Sequence, residues 1–123
     1  MISINFNLKQ LPDQPPEIYY GNKEYKIKLN YYNKIGLQKK ASQMLFRLIE
    51  GDGKAIYLLG VEDNGIARGI NINELLISLK LMLKISNIIN SSISKINIYK
   101  GTEGYIASLR LFKNIENKIS LHL

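Results

Sequence analysis

The sequence predicts a two-layer α/β domain: two helices on one face of a mixed sheet, in the order β-α-β-β-α-β-β. Three observations predict it. Segments with apolar residues at every second position flank two segments in which they recur at every third and fourth. Gly- and Asn-rich turns separate these segments. Each helix has one apolar stripe to cover, so both must lie on the same side of the sheet, which leaves the other sheet face open.

The elements follow in chain order. Residues 1–22 read as a leader, because Pro12, Pro15 and Pro16 disfavour regular structure; a short strand at Ile2 to Leu8 fits before them. "EYKIKLN" (Glu24 to Asn30) alternates, with Tyr25, Ile27 and Leu29 on one side and Glu24, Lys26 and Lys28 on the other. "LQKKASQMLFRLIEG" changes period. Leu37, Ala41, Met44, Leu45 and Leu48 form a helical stripe, and Gly51 is a fitting stop. "KAIYLLGV" and "IARGI" read as two strands around Glu62-Asp63-Asn64-Gly65, with Asn64 and Gly65 both expected at positive φ as in a primed hairpin turn. A second helix is expected from about Ile72 to Asn90, opened by a capping box of Asn71 and Glu74, with Leu75, Leu79, Met82 and Leu83 buried. "SISKINIYK" and "GYIASLRLFKN" make a final hairpin around Gly101 to Gly104. Ile96, Ile98, Ala107, Leu109 and Leu111 point inward from it. The tail "NKISLHL" alternates again, like the start of another strand.

At 123 residues and 46% hydrophobic, the chain is the size of one domain with its own core. It has no cysteine, and its only histidine is His122, so thiolate zinc sites, disulfides and Ser-His-Asp triads lack their residues. No apolar run reaches the ~18 residues of a membrane span. The start "MISINFNLKQ" does not resemble a secretory signal, so a cytoplasmic protein with no membrane partner is expected. The net charge of +7, from 17 basic and 10 acidic residues, favours a polyanionic partner, RNA above all.

No phosphate loop is present: "GDGK" at Gly51 to Lys54 lacks the first half of the motif and its final hydroxyl, and leads into a strand. No catalytic residues, metal ligands or cofactor are therefore expected in this chain. Glu62-Asp63 reads as the polar tip of a turn rather than a metal site, since adjacent strand residues point to opposite faces. The candidate binding residues are basic and aromatic. Lys26, Lys28, Lys95, Tyr99 and Arg110 are expected on the open sheet face, where cations pair with phosphates and a tyrosine stacks on a base. Lys39, Lys40 and Arg47 form a second expected patch, on the first helix.

The segments "PPEIYYGNKEYKIKL" and "QMLFRLIEGDGKAIYLLGVEDNGIARGI" resemble the N-terminal region of the GTPBP family, translational GTPases related to elongation factor Tu. The shared pattern runs from Pro15-Pro16-Glu17 through Gly21, Asn22, Glu24, Tyr25, Lys26, Lys28 and Leu29. It continues through Gln43-Met44, Arg47-Leu48, Glu50-Gly51, Gly53, Ala55 and Tyr57, then reaches Gly60, Val61, Glu62, Asp63, Asn64 and Gly65 and, beyond them, Gly69, Glu74, Ser78 and Leu79. The resemblance spans roughly residues 15 to 80. It implies that this turn is a family signature. It also implies a GTPase domain following in cis, with GTP and Mg bound there, and an RNA or ribosome partner. The division implied is residues 1–22 as leader, 23–113 as accessory domain, and 114–123 as a linker or the first GTPase strand. A lesser resemblance, in "YLLGVEDNGIARGI" and the "EYK" strand start, is to the Alba-like domain of Schlafen proteins, some of which are RNases. Glu24 and Asp63 would be the matching acids there. Tyr19 stands where a further acid falls, which argues against nuclease activity. The two readings are thus a non-catalytic accessory domain of a translational GTPase, and a stand-alone RNA-binding module or RNase.

Overall fold

The computed structural model describes residues 2–30 and 32–115. The elements are β1 (Ser3–Gln10), β2 (Lys23–Lys26), α1 (Lys34–Glu50), β3 (Lys54–Leu59), α2 (Ile72–Ile88), β4 (Ser92–Lys100) and β5 (Tyr105–Phe112). They build one mixed sheet in the order β1-β4-β5-β3-β2, with both helices on the same face. The two outer pairings, β1 with β4 and β2 with β3, are parallel, whereas β5 runs antiparallel to both its neighbours. The two-layer architecture is as expected. No helix among the described residues is long and apolar enough to cross a membrane.

The assignment of strands departs from expectation at two places. The short strand at the chain's start is a full edge strand, eight residues long, all of them exposed. The segment after the acidic turn is not a strand: Val61 pairs with Ala67 and Ile70 with Tyr105 as isolated bridges. Two glycines cause this. Gly60 and Gly69 lie at φ +91 and +90, and the Gly69 N–H donates to the Gly60 carbonyl at 2.8 Å. A Cβ at Gly69 would run into the backbone of Gly104, so the chain here crosses the β4–β5 turn too closely for a regular ladder.

The helices form as their periodicity requires. Asn33 caps α1, its side chain accepting from the Gly36 N–H at 2.8 Å. Asn71 and Glu74 complete the capping box of α2, with both reciprocal hydrogen bonds formed. The left-handed turn that ends α1 falls on Asp52 and Gly53, one step beyond Gly51, which sits at φ −97. On α2 the buried set is Leu75, Leu81, Met82 and Ile85; Leu79 is half-buried and Leu83 is exposed, because α1 covers the other flank of the helix. Together with Met44 and Leu48 of α1, these pack on Ala55, Tyr57 and Leu59 of β3 and on Ile96, Ile98, Ala107, Leu109 and Leu111 of the hairpin.

A second, smaller cluster lies on the opposite sheet face. Tyr25, Leu58, Val61, Ala67 and Ile106 are buried there beneath Leu11 and Tyr99. The open face is therefore closed at one end, and what closes it is the segment 11–22, which crosses the sheet as a strap.

Candidate nucleic-acid interface

The strap has no regular structure, so its backbone groups find partners elsewhere. The Leu11 N–H donates to the Lys100 carbonyl, the Gln14 N–H to that of Gly65 and the Glu17 N–H to that of Asp63. The Asp13 carboxylate accepts the Ala67 N–H at 2.9 Å, and the Tyr25 hydroxyl donates to the Pro15 carbonyl at 2.8 Å. At the far end Arg47, only 3% exposed, donates to the carbonyls of Ile18, Tyr20 and Gly21 and, through Nε at 2.8 Å, to Glu24. Arg47 is thus no member of a surface patch. It is a buried fork that fixes the strap, while Lys39 stands exposed and Lys40 lies over the Tyr32 ring at 5.4 Å.

The acidic turn is built differently from the expected primed hairpin. The Gly65 N–H donates to the Glu62 carbonyl at 2.8 Å and the Glu62 N–H to the Ile66 carbonyl at 3.1 Å. Of Asn64 and Gly65, only Gly65 has positive φ, at +94. This is a three-residue loop closed by a glycine bulge. The Asn64 side chain accepts from the Ile66 N–H, and Glu62 pairs with Arg68 at 2.5 Å. Glu24 and Asp63 do not meet as a pair: Glu24 is buried against Arg47 on the helix side, and Asp63 is exposed in the turn. Among the described residues, no three His, Cys, Asp or Glu side chains gather to hold a metal ion.

Strand register sorts the remaining cations. Leu109 and Leu111 of β5 face the helices, so Arg110 faces the other way. Its row across the sheet reads Lys23, Ile56, Arg110, Lys95 and Ser3. The next row toward the uncovered end pairs Lys54 and Ser92 with Phe112, which is 46% exposed. Lys95, Arg110 and Tyr99 therefore share the predicted face, but Tyr99 is packed against the strap cluster. Lys26 and Lys28 do not share it. Lys26 lies on the helix side, 3.4 Å from Glu24, and Lys28 reaches Glu74 of α2 at 2.6 Å. The expected alternation placed Glu24 in solvent; instead Arg47 draws it inward, and the charged side of β2 becomes the helix-facing side.

Sequence reasoning missed Lys23, Lys54 and Phe112. Phe112 shares the face of Arg110 by alternation along β5, whereas Lys23 and Lys54 come beside it through the β2–β3 and β3–β5 pairings, which no local pattern encodes. Lys54 and Phe112 line a groove of about 580 Å³ whose walls also include Arg110, Ser92 and Ser94. Among the described residues, Lys23, Lys54, Lys95 and Arg110 form no salt bridge, and their two rows contain no carboxylate.

One carboxylate borders this face. Glu17 lies in the strap and accepts the Tyr25 N–H through Oε2. Burial raises its pKa above the usual carboxylate range; the Tyr25 N–H lowers it, and the charges of Glu24 and Asp63 add to the rise. The linkage has a definite sign. A carboxyl with a raised folded pKa gives full stability below its unfolded value and loses it as pH climbs through the folded value. Stability should therefore fall from pH 4.5 upward by the share due to Glu17. Urea denaturation across the acidic range is expected to show that decline in the parent and a flatter profile in Glu17→Gln. An unchanged profile in the variant would place the titration elsewhere.

Over 83 residues, 68% of this chain, the sequence is 39% identical to GTP-binding protein 2 of Mus musculus and equally to that of Homo sapiens. It is 35% identical over 80 residues to an uncharacterized protein of Acanthamoeba polyphaga mimivirus, covering 64% of this chain and 43% of that one. No protein-family model matches the chain, and no solved structure matches it significantly. The chain thus shares one segment with GTP-binding protein 2 and spans 14% of that protein's length.

Proposed function

We propose that this domain is a non-catalytic accessory module of a GTPBP-like translational GTPase and that it binds RNA, in the ribosome or free, through the open end of its sheet. Its place is the cytoplasm, and GTP and Mg belong to the GTPase domain that stands beside it in such proteins. The likeness to GTP-binding protein 2 supports the first half of this reading. The observation that carries the second is the face bearing Lys23, Lys54, Lys95 and Arg110 with Phe112 exposed among them, whose rows hold no carboxylate among the described residues. Like charges gathered on one face repel one another, and a polyphosphate relieves that repulsion. Paired strands lie ~4.8 Å apart, so the cations of one row can follow a backbone that crosses the strands.

Titration of labelled single-stranded RNA at two salt concentrations tests the reading. Affinity should fall steeply with salt, with a log–log slope of about −0.7 for each phosphate neutralised. A Lys54→Ala/Arg110→Ala variant should bind more weakly and with a shallower slope, by roughly 1.4 for two contacts. A Lys26→Ala/Lys28→Ala variant, altered on the helix side, should bind like the parent. Equal curves for the parent and the Lys54/Arg110 variant would remove this face from RNA binding.

A further inference from the structure

Beside the basic groove lies a second concavity of about 380 Å³, between the strap and β2. Its lining is mostly apolar and aromatic, from Pro15, Pro16, Ile18, Tyr20 and Tyr25, with Asn22, Lys23 and the carboxylate of Glu17 as its polar side chains among the described residues. The two concavities meet at Asn22, which lines both. Small-ligand pockets run from roughly 300 to 1,000 Å³, so this one has room for a single planar ring system and little more.

The walls are held in advance. Arg47 binds the carbonyls of Ile18, Tyr20 and Gly21, and Tyr25 binds that of Pro15. Tyr19 and Tyr20 pack edge to face with their centroids 5.4 Å apart, and both stay exposed, at 86% and 56%. A buried arginine thus fixes the backbone from which two tyrosines project into solvent. Aromatic surface held rigid in this way loses little entropy when a ring stacks on it. Glu17 uses Oε2 on the Tyr25 N–H, and its Oε1 has no protein partner among the described residues. Burial is the leading cause of its raised pKa.

We propose that this pocket takes one unpaired base of the bound RNA and selects a base with an exocyclic amino group, adenine, cytosine or guanine, over uracil. This rests on the RNA reading above and adds a specificity site to it. The chemistry is direct. A carboxylate oxygen is an acceptor only, so it recruits the amino group of adenine, cytosine or guanine and repels the O4 of uracil. The rings of Tyr20 and Pro16 supply the apolar contact, as splayed bases require. Phosphates flanking the base then fall toward Lys23 in the pocket wall and toward Arg110 and Lys54 in the adjoining groove.

The test is an anisotropy titration of the whole chain with a labelled oligouridylate and with the same oligomer carrying one central adenosine or cytidine. The substituted oligomers should bind about tenfold more tightly, the size of one charge-assisted hydrogen bond, with the same salt slope. Glu17→Gln should fold and keep its carbonyl on the Tyr25 N–H, which turns the amide NH₂ toward the pocket. That donor suits uracil O4, so the preference should vanish or reverse. Lys54→Ala should weaken all the oligomers alike and leave the preference intact. Salt-dependent binding with no base preference, or a preference that survives in Glu17→Gln, would overturn the pocket while leaving the RNA reading in place. Absence of salt-dependent binding to any oligomer would overturn both.

Discussion

An Arg47→Leu variant is expected to melt far below the parent and to expose residues 18–21 to protease. Arg47 is 3% exposed and Glu24 1% exposed, so the pair is removed from water on both sides. Breaking such a pair by deleting one partner costs about 3–5 kcal/mol, because the remaining charge stays buried without compensation. Glu24 would keep only Lys26, at 3.4 Å. The three carbonyls of the strap would lose their donor as well, and each unsatisfied group adds to the cost. For a domain of this size the melting temperature should drop by roughly 10–20 °C. Arg47→Lys should restore little, since a single ammonium cannot span four acceptors that a planar fork reaches together. A Glu24→Gln/Arg47→Leu double variant should recover part of the loss, since removing both charges is far cheaper than removing one. Melting curves of the four proteins decide the matter. Equal stability of parent and Arg47→Leu would mean that the strap is held by other contacts.

The same arginine explains what could and could not be read from the sequence. The helices were legible because their stripes and caps are local: Asn71 with Glu74, and Ala41, Met44 and Leu48 at helical spacing. The final hairpin was legible for the same reason, down to the inward set Ile96, Ile98, Ala107, Leu109 and Leu111. Two features were not. Arg47 sits on the apolar side of α1 and reads by type as a solvent-facing residue; only the carbonyls of a distant strap and the acid on β2 make its burial favourable. Once Glu24 is drawn in, the face assignment of β2 reverses, which moves Lys26 to the helix side and brings Lys23 to the open face. The alternation of "EYKIKLN" is real in type, but β2, Lys23–Lys26, takes in only Glu24, Tyr25 and Lys26 of it. Long-range polar pairing thus overrode the local period. Of the candidate site, Lys95, Arg110 and Phe112 follow from the hairpin's parity alone, whereas the placing of Lys23 and Lys54 beside them depends on the β2–β3 and β3–β5 registers, which local pattern does not specify.

Gly65→Ala is expected to loosen the strap at its other end, at a cost of roughly 2–3 kcal/mol. Two costs add. Gly65 has φ +94, and a left-handed conformation costs an ordinary residue about 1–2 kcal/mol. In addition, a Cβ there would overlap the Gln14 carbonyl oxygen and sit 2.7 Å from the Gln14 carbonyl carbon. The strap must move away, and the Gln14 N–H then leaves the Gly65 carbonyl, a hydrogen bond of 2.8 Å worth about 1 kcal/mol net. The neighbouring bond from the Glu17 N–H to the Asp63 carbonyl, also 2.8 Å, is strained by the same movement. Asn64→Ala supplies the contrast. Asn64 lies outside the positive-φ set, so its loss removes only the side-chain bond to the Ile66 N–H, at a cost of about 1 kcal/mol or less. A primed two-residue turn would make both positions sensitive; a three-residue loop with a glycine bulge makes only Gly65 so. Denaturant melts of the two variants separate the geometries, and limited proteolysis between residues 11 and 22 reports whether the strap has lifted. Should Gly65→Ala melt with the parent and resist cleavage as well as it does, the turn does not hold the strap, and the closed end of the sheet owes its stability to Tyr25 and Leu11 instead.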